Sequence, residues 1–69
     1  MNPIFQYIRV GKKYRLVNYG EKHEVLVLRK LGDDNFLVKS LLSMEQFRLK
    51  ELVQYGVGND FLIEEIHYM

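Results

Sequence analysis

The chain has no cysteine, alanine, threonine or tryptophan among its 69 residues, and only one proline. Without cysteine there is no disulfide framework, no thiolate metal centre and no thiol nucleophile. Without alanine, the strongest helix former, a helical bundle lacks its usual material. No apolar run approaches the roughly 20 residues needed to span a bilayer as a helix. The first ten residues carry neither a basic start nor a small-residue cleavage site, so no secretory signal is read there. Together these absences lead us to expect a cytoplasmic protein with no membrane partner.

What is present is large and apolar. Hydrophobic residues make up 48% of the chain, nearly all of them Leu, Val, Ile, Phe and Tyr. The β-branched and aromatic members of that set favour strands. A chain this short is one domain, and it buries only about 60% of its extended surface. So much bulky apolar surface also points to self-association, and hence to a homo-oligomer. The net charge of +1 is unevenly spread. Residues 1–30 hold seven basic and two acidic side chains, whereas residues 31–69 hold three basic and seven acidic ones. Pairing of the first and last strands would bring the two halves together, with Lys13 and Arg15 facing Glu64 and Glu65.

Periodicity and turn chemistry divide the chain into an arm (1–9), a folded domain (10–66) and a tail (67–69). Asn2-Pro3 is a helix-start signal that would put Ile4, Phe5 and Ile8 on one face. The segment is also short and rich in β-formers, so an extended arm fits equally well. Lys13 to Asn18 alternates, with Tyr14 and Leu16 inward. Tyr19 to Lys22 reads as a short loop and His23 to Leu31 as the second strand. Gly32-Asp33-Asp34-Asn35 is the clearest turn, closing a hairpin with Phe36 to Ser40. After a linker at Leu41 to Met44, Glu45 to Leu49 suits a fourth strand with Phe47 and Leu49 inward. Lys50 to Gln54 suits one helical turn, stopped by Gly56. Phe61 to Ile66 is the fifth strand. The fold class expected is all-β, a small, strongly bent five-stranded antiparallel barrel.

This order resembles the Tudor-type and Src-homology-3-like small β-barrels. Val10-Gly11-Lys12-Lys13-Tyr14-Arg15-Leu16 is similar to their glycine-led first strand. Phe36-Leu37-Val38 and Phe47-Arg48-Leu49-Lys50-Glu51-Leu52 resemble their third and fourth strands and the helical turn that follows. The resemblance implies a barrel with the first loop and the late helical turn on the same side. Ser40-Leu41-Leu42 stands where Tudor modules carry an acidic residue, an aromatic and a glycine. The short Tyr19 to Lys22 loop stands where peptide-binding Src-homology barrels carry an acidic and aromatic cluster. The likeness therefore speaks for a fold rather than for a ligand.

The chemistry on offer is that of a binding module. Ser40 and Ser43 lack a nucleophile-elbow context. His23 and His67 have no metal-ligand spacing. Asp33 and Asp34 fit a turn and do not match a calcium loop. Gly56-x-Gly58 lacks the lysine and helix of a phosphate cradle. We expect no enzymatic activity, metal or cofactor.

Two short echoes, Asn18-Tyr19-Gly20 and Gln54-Tyr55-Gly56, each precede a strand. Tyr19 and Tyr55, joined by Tyr7, Tyr14 and Phe36, form the candidate binding set for a protein or peptide. A second expectation is a nucleic-acid surface built from Arg9, Lys12, Lys13, Arg15 and Lys22. A third is a structural homodimer formed through Met1 to Val10.

Overall fold

A computed structural model describes residues 5–67. The first strand, β1 (Lys13–Asn18), has the expected bounds and alternates half-buried and buried positions along its length. A two-residue turn leads into β2 (Glu21–Gly32). That strand is longer than expected because Asn18 already pairs with Glu21, so Glu21 and Lys22 belong to the ladder and not to a loop. The strands β3 (Asn35–Ser40) and β4 (Gln46–Arg48) follow. A 3-10 turn, Leu49–Val53, then leads towards β5 (Leu62–Glu65).

The fourth strand is shorter than the expected Glu45 to Leu49. The Arg48 N–H is already committed to the Glu51 carboxylate at 2.9 Å, which starts the 3-10 turn at Leu49. The fifth strand is trimmed by one residue at each end, although the Ile66 N–H still donates to the Lys13 carbonyl at 2.8 Å.

All pairings are antiparallel, and the strands lie in the order β4-β3-β2-β1-β5. Among the described residues no ladder joins β4 to β5, so the five antiparallel strands form one open sheet. No helix of the described residues is long and apolar enough to cross a membrane.

The inner face carries the core: Tyr14 and Leu16 from β1, Val25 and Val27 from β2, Phe36 and Val38 from β3, and Leu49 from the 3-10 turn. Phe5 and Ile8 complete it. Phe5 is 1% exposed, and its N–H donates to the Asp34 carboxylate at 3.1 Å. Phe5 to Tyr7 form a turn, closed by an Ile8 N–H to Phe5 carbonyl bond of 3.1 Å. Two apolar residues that a dimerisation arm would need are thus part of the chain's own core. Asn2, Pro3 and Ile4 lie outside the described residues, as do Tyr68 and Met69 of the tail.

The centre of β2 is apolar on both faces, and at its end the ladder is irregular. The β2–β3 register slips between Val27 and Arg29, leaving Leu28 as an extra, bulged residue. A bulge bends the strand and adds twist. A second slip, between Lys30 and Gly32, does the same near the hairpin tip.

Candidate binding site: a notch between two tyrosine turns

Tyr19 and Gly20 alone connect β1 to β2, at φ 51° and 78°. Positive φ at both central residues is the geometry that matches the right-handed twist of a two-residue hairpin. Glycine takes it freely, but tyrosine does so at a cost. The offset is visible in Asp60. Its carboxylate accepts the Tyr19 N–H at 2.8 Å and the Gly20 N–H at 2.6 Å, one on each oxygen. Asp60 is thus a positioning residue for the hairpin.

Beside it, Asn18 is buried and makes three hydrogen bonds. Its amide nitrogen donates to the Leu52 and Gly56 carbonyls, both at 3.1 Å. Its oxygen accepts the Gly58 N–H at 2.8 Å. The side chain ties the first hairpin to the segment that follows the 3-10 turn. The Tyr19 ring then lies on Gly58. A Cβ at that position would stand 2.8 Å from Tyr19 Cδ1, a distance that excludes a side chain unless the ring moves.

The two Tyr-Gly echoes, 36 positions apart in the chain, are therefore joined in space. Tyr19 is 60% exposed and Tyr55 is 87% exposed. Both line one cavity of about 210 Å³, with Asn18, Glu21, His23, Glu51, Leu52, Gln54 and Gly56 forming the rest of its wall. No lysine or arginine lines it, whereas two glutamates do. His23 Nε2 lies 3.4 Å from the Glu21 carboxylate. Glu51 is turned partly towards Arg48, with its Oε2 3.8 Å from Arg48 Nε.

The other expected members of the aromatic set are elsewhere. Tyr14 is a core residue, 5% exposed, and its hydroxyl accepts the Arg9 N–H at 2.9 Å. Alternation on β1 puts it inward beside Leu16, away from the Tyr19–Tyr55 notch. Phe36 is likewise buried. Tyr7 is exposed but borders a separate hollow with Ile8, Tyr14, Ile63, Glu64 and Glu65.

Of the basic set of the first half, Lys13, Arg15 and Lys22 share the outer face of the sheet, and Arg9 and Lys12 precede it. Arg9, Lys12 and Lys22 are exposed, and Lys13 is half-buried. Arg15 pairs with Glu24 at 2.8 Å and with Glu64 at 3.1 Å, the cross-strand pairing expected from the charge asymmetry. Hydrogen bonds to Glu24 and then Glu64 hold its guanidinium proton more tightly than usual. Arg15 is thus spent within the sheet and cannot serve a phosphate without breaking both pairs.

Glu21, His23, Glu51 and Gln54 were not singled out as pocket residues by sequence. For Glu21 and His23 a signal existed, because they share the phase of Val25 and Val27 on β2 and so face the inner side. Among the described residues no three His, Asp or Glu side chains gather to hold a metal ion. No family model matches the chain, and searches of the curated proteins and of the solved structures return no similar protein.

Proposed function

We propose that the chain is a non-catalytic protein- or peptide-interaction module of the Src-homology-3-like or Tudor-like small-barrel type, binding at the notch between Tyr19 and Tyr55. One observation carries this reading: two exposed tyrosine rings from distant segments line the same cavity. The barrel type is supported by the first hairpin and the late 3-10 turn meeting on one side, as the resemblance implied. The wall supplies two carboxylates and no lysine or arginine, so the occupant it suits is a cationic side chain on a peptide. Each ring face would add about 1 kcal/mol of cation–π attraction to the pull of Glu21 and Glu51.

The non-catalytic reading is supported by the state of the serines. The Ser40 hydroxyl accepts the Leu42 and Ser43 N–H groups, and the Ser43 hydroxyl accepts that of Glu45, so each is used to shape its own loop.

The test is affinity capture from a cell lysate with the wild-type chain and with Tyr19→Ala and Tyr55→Ala. Partners held by the wild type and lost from both variants are the expected result. Retention of every partner by both variants would rule the notch out.

A further inference from the structure

A second hollow, of about 420 Å³, opens beside the notch on the inner side of the sheet. The two share four wall residues, His23, Glu51, Leu52 and Gln54, so they form one continuous depression. Tyr19 and Tyr55 belong to the notch, whereas Ser43, Glu45 and Phe47 belong to the second hollow. Strand β2 contributes to both and sets their spacing. Glu21 lines the notch alone, Val25 lines the second hollow alone, and His23 lines both. These three residues share one face of the strand, each about 7 Å from the next. The two hollows are therefore offset by about one such step.

The second hollow differs from the notch in chemistry. Its floor is apolar, with Val25 buried and with Phe47 and Leu52 half-buried against the core. Both of its hydroxyls are already committed. Ser40 Oγ accepts from the Leu42 and Ser43 N–H groups, and Ser43 Oγ accepts from that of Glu45. One oxygen of Glu51 is likewise taken, by the Arg48 N–H at 2.9 Å. What this hollow offers a guest is thus mainly its apolar floor, with the exposed Glu45 on its wall. No lysine or arginine lines either hollow.

From this continuity we infer that the depression is a two-pocket groove for one extended peptide. A cationic side chain enters the notch, and an apolar side chain two residues away rests on Phe47 and Leu52. Alternate side chains of an extended chain point to the same side about 7 Å apart, which matches the offset of the hollows. The carboxylates of Glu21, Glu45 and Glu51 along the groove disfavour an acidic peptide or a nucleic acid. The inference rests on the reading of the notch as a peptide site, and adds to it a second pocket and a spacing.

The experiment follows the backbone amide shifts of the full wild-type chain as capped pentapeptides are added to millimolar concentration. The probes are Gly-Arg-Gly-Leu-Gly, its reverse Gly-Leu-Gly-Arg-Gly, the leucine-free Gly-Arg-Gly-Gly-Gly, and Gly-Arg-Leu-Gly-Gly with the two side chains adjacent. Varying the peptide leaves Phe47 and Leu52 in place, so no result depends on a variant that fails to fold. The leucine-free probe should move amides at the Tyr19 and Tyr55 turns only. One of the two spaced orders should also move Ser43 and Phe47, and should bind about 10-fold tighter than the leucine-free probe as the leucine leaves water. The adjacent probe should fall back towards the leucine-free affinity.

If the leucine-free probe moves the notch amides and leucine adds nothing in either order, the second pocket is refuted and the notch stands. An equal gain from the adjacent probe would refute the spacing, and with it the two-pocket groove. If no arginine probe moves the notch amides, the reading of the notch falls and takes this inference with it.

Discussion

The Tyr19-Gly20 and Tyr55-Gly56 turns share a dipeptide and almost nothing else. The first is a hairpin turn with both residues at positive φ, its two N–H groups held by one carboxylate and its ring laid on Gly58. The second is held through its glycine. The Gly56 N–H donates to the Val53 carbonyl at 3.0 Å, and the Gly56 carbonyl accepts from Asn18. Its tyrosine ring is left almost wholly in solvent. One ring helps hold the fold and forms a wall of the notch, whereas the other is available for contact. The same local signal can therefore do two jobs, and the long-range partners decide which. Four substitutions probe that division.

The largest effect should come from Asn18→Ala. The side chain is buried and serves three backbone groups that link the two turns. Its removal leaves the Gly58 N–H and the Leu52 and Gly56 carbonyls short of a partner. Even with water reaching some of them, the cost should be about 3 kcal/mol. Urea unfolding followed by circular dichroism measures it. A loss below about 1 kcal/mol would mean that the two turns are not held together through this residue.

Asp60→Ala comes next, at about 2 kcal/mol, from the loss of two charge-assisted hydrogen bonds to the strained hairpin. Its signature is local. Hydrogen exchange at the Tyr19 and Gly20 amides should quicken well beyond the change at Val25 or Val27, which sit in the core ladder. Uniform quickening along β1 and β2 would show that Asp60 acts on the whole sheet rather than on the turn.

Why the first turn's anchors escaped a reading of the sequence follows from their positions. Asn18 bonds across 34 to 40 residues and Asp60 across 40 to 41. In sequence Asn18 is a strand end and Asp60 a loop residue, and nothing nearby marks either as a clamp. The elements whose cause is local were legible: the alternation of β1, the Asp33-Asp34 turn and the short 3-10 turn. The Arg15–Glu64 pairing was also legible, because the charge asymmetry and the expected contact of first and last strands both called for it. Tyr14 shows the opposite failure. Its inward phase was read correctly from alternation, yet it was also counted as a binding residue because it is a tyrosine. Phase outweighed residue type.

The smallest effect on stability should be that of Tyr55→Ala, and it separates the two turns most sharply. A ring this exposed, with no packing partner to lose, should cost no more than about 0.5 kcal/mol when truncated. Tyr19→Ala removes a ring that lies on Gly58 and should cost about 1 kcal/mol from the apolar area returned to water. If the notch is a binding site, the order reverses for ligand affinity relative to stability: Tyr55→Ala then loses binding with its unfolding midpoint intact. Thermal melts run beside the capture experiment report both quantities on the same samples. A Tyr55→Ala chain that melts early would show the second ring to be structural after all. The two turns would then be two versions of one device, and the functional claim of the notch would fall with the distinction between them.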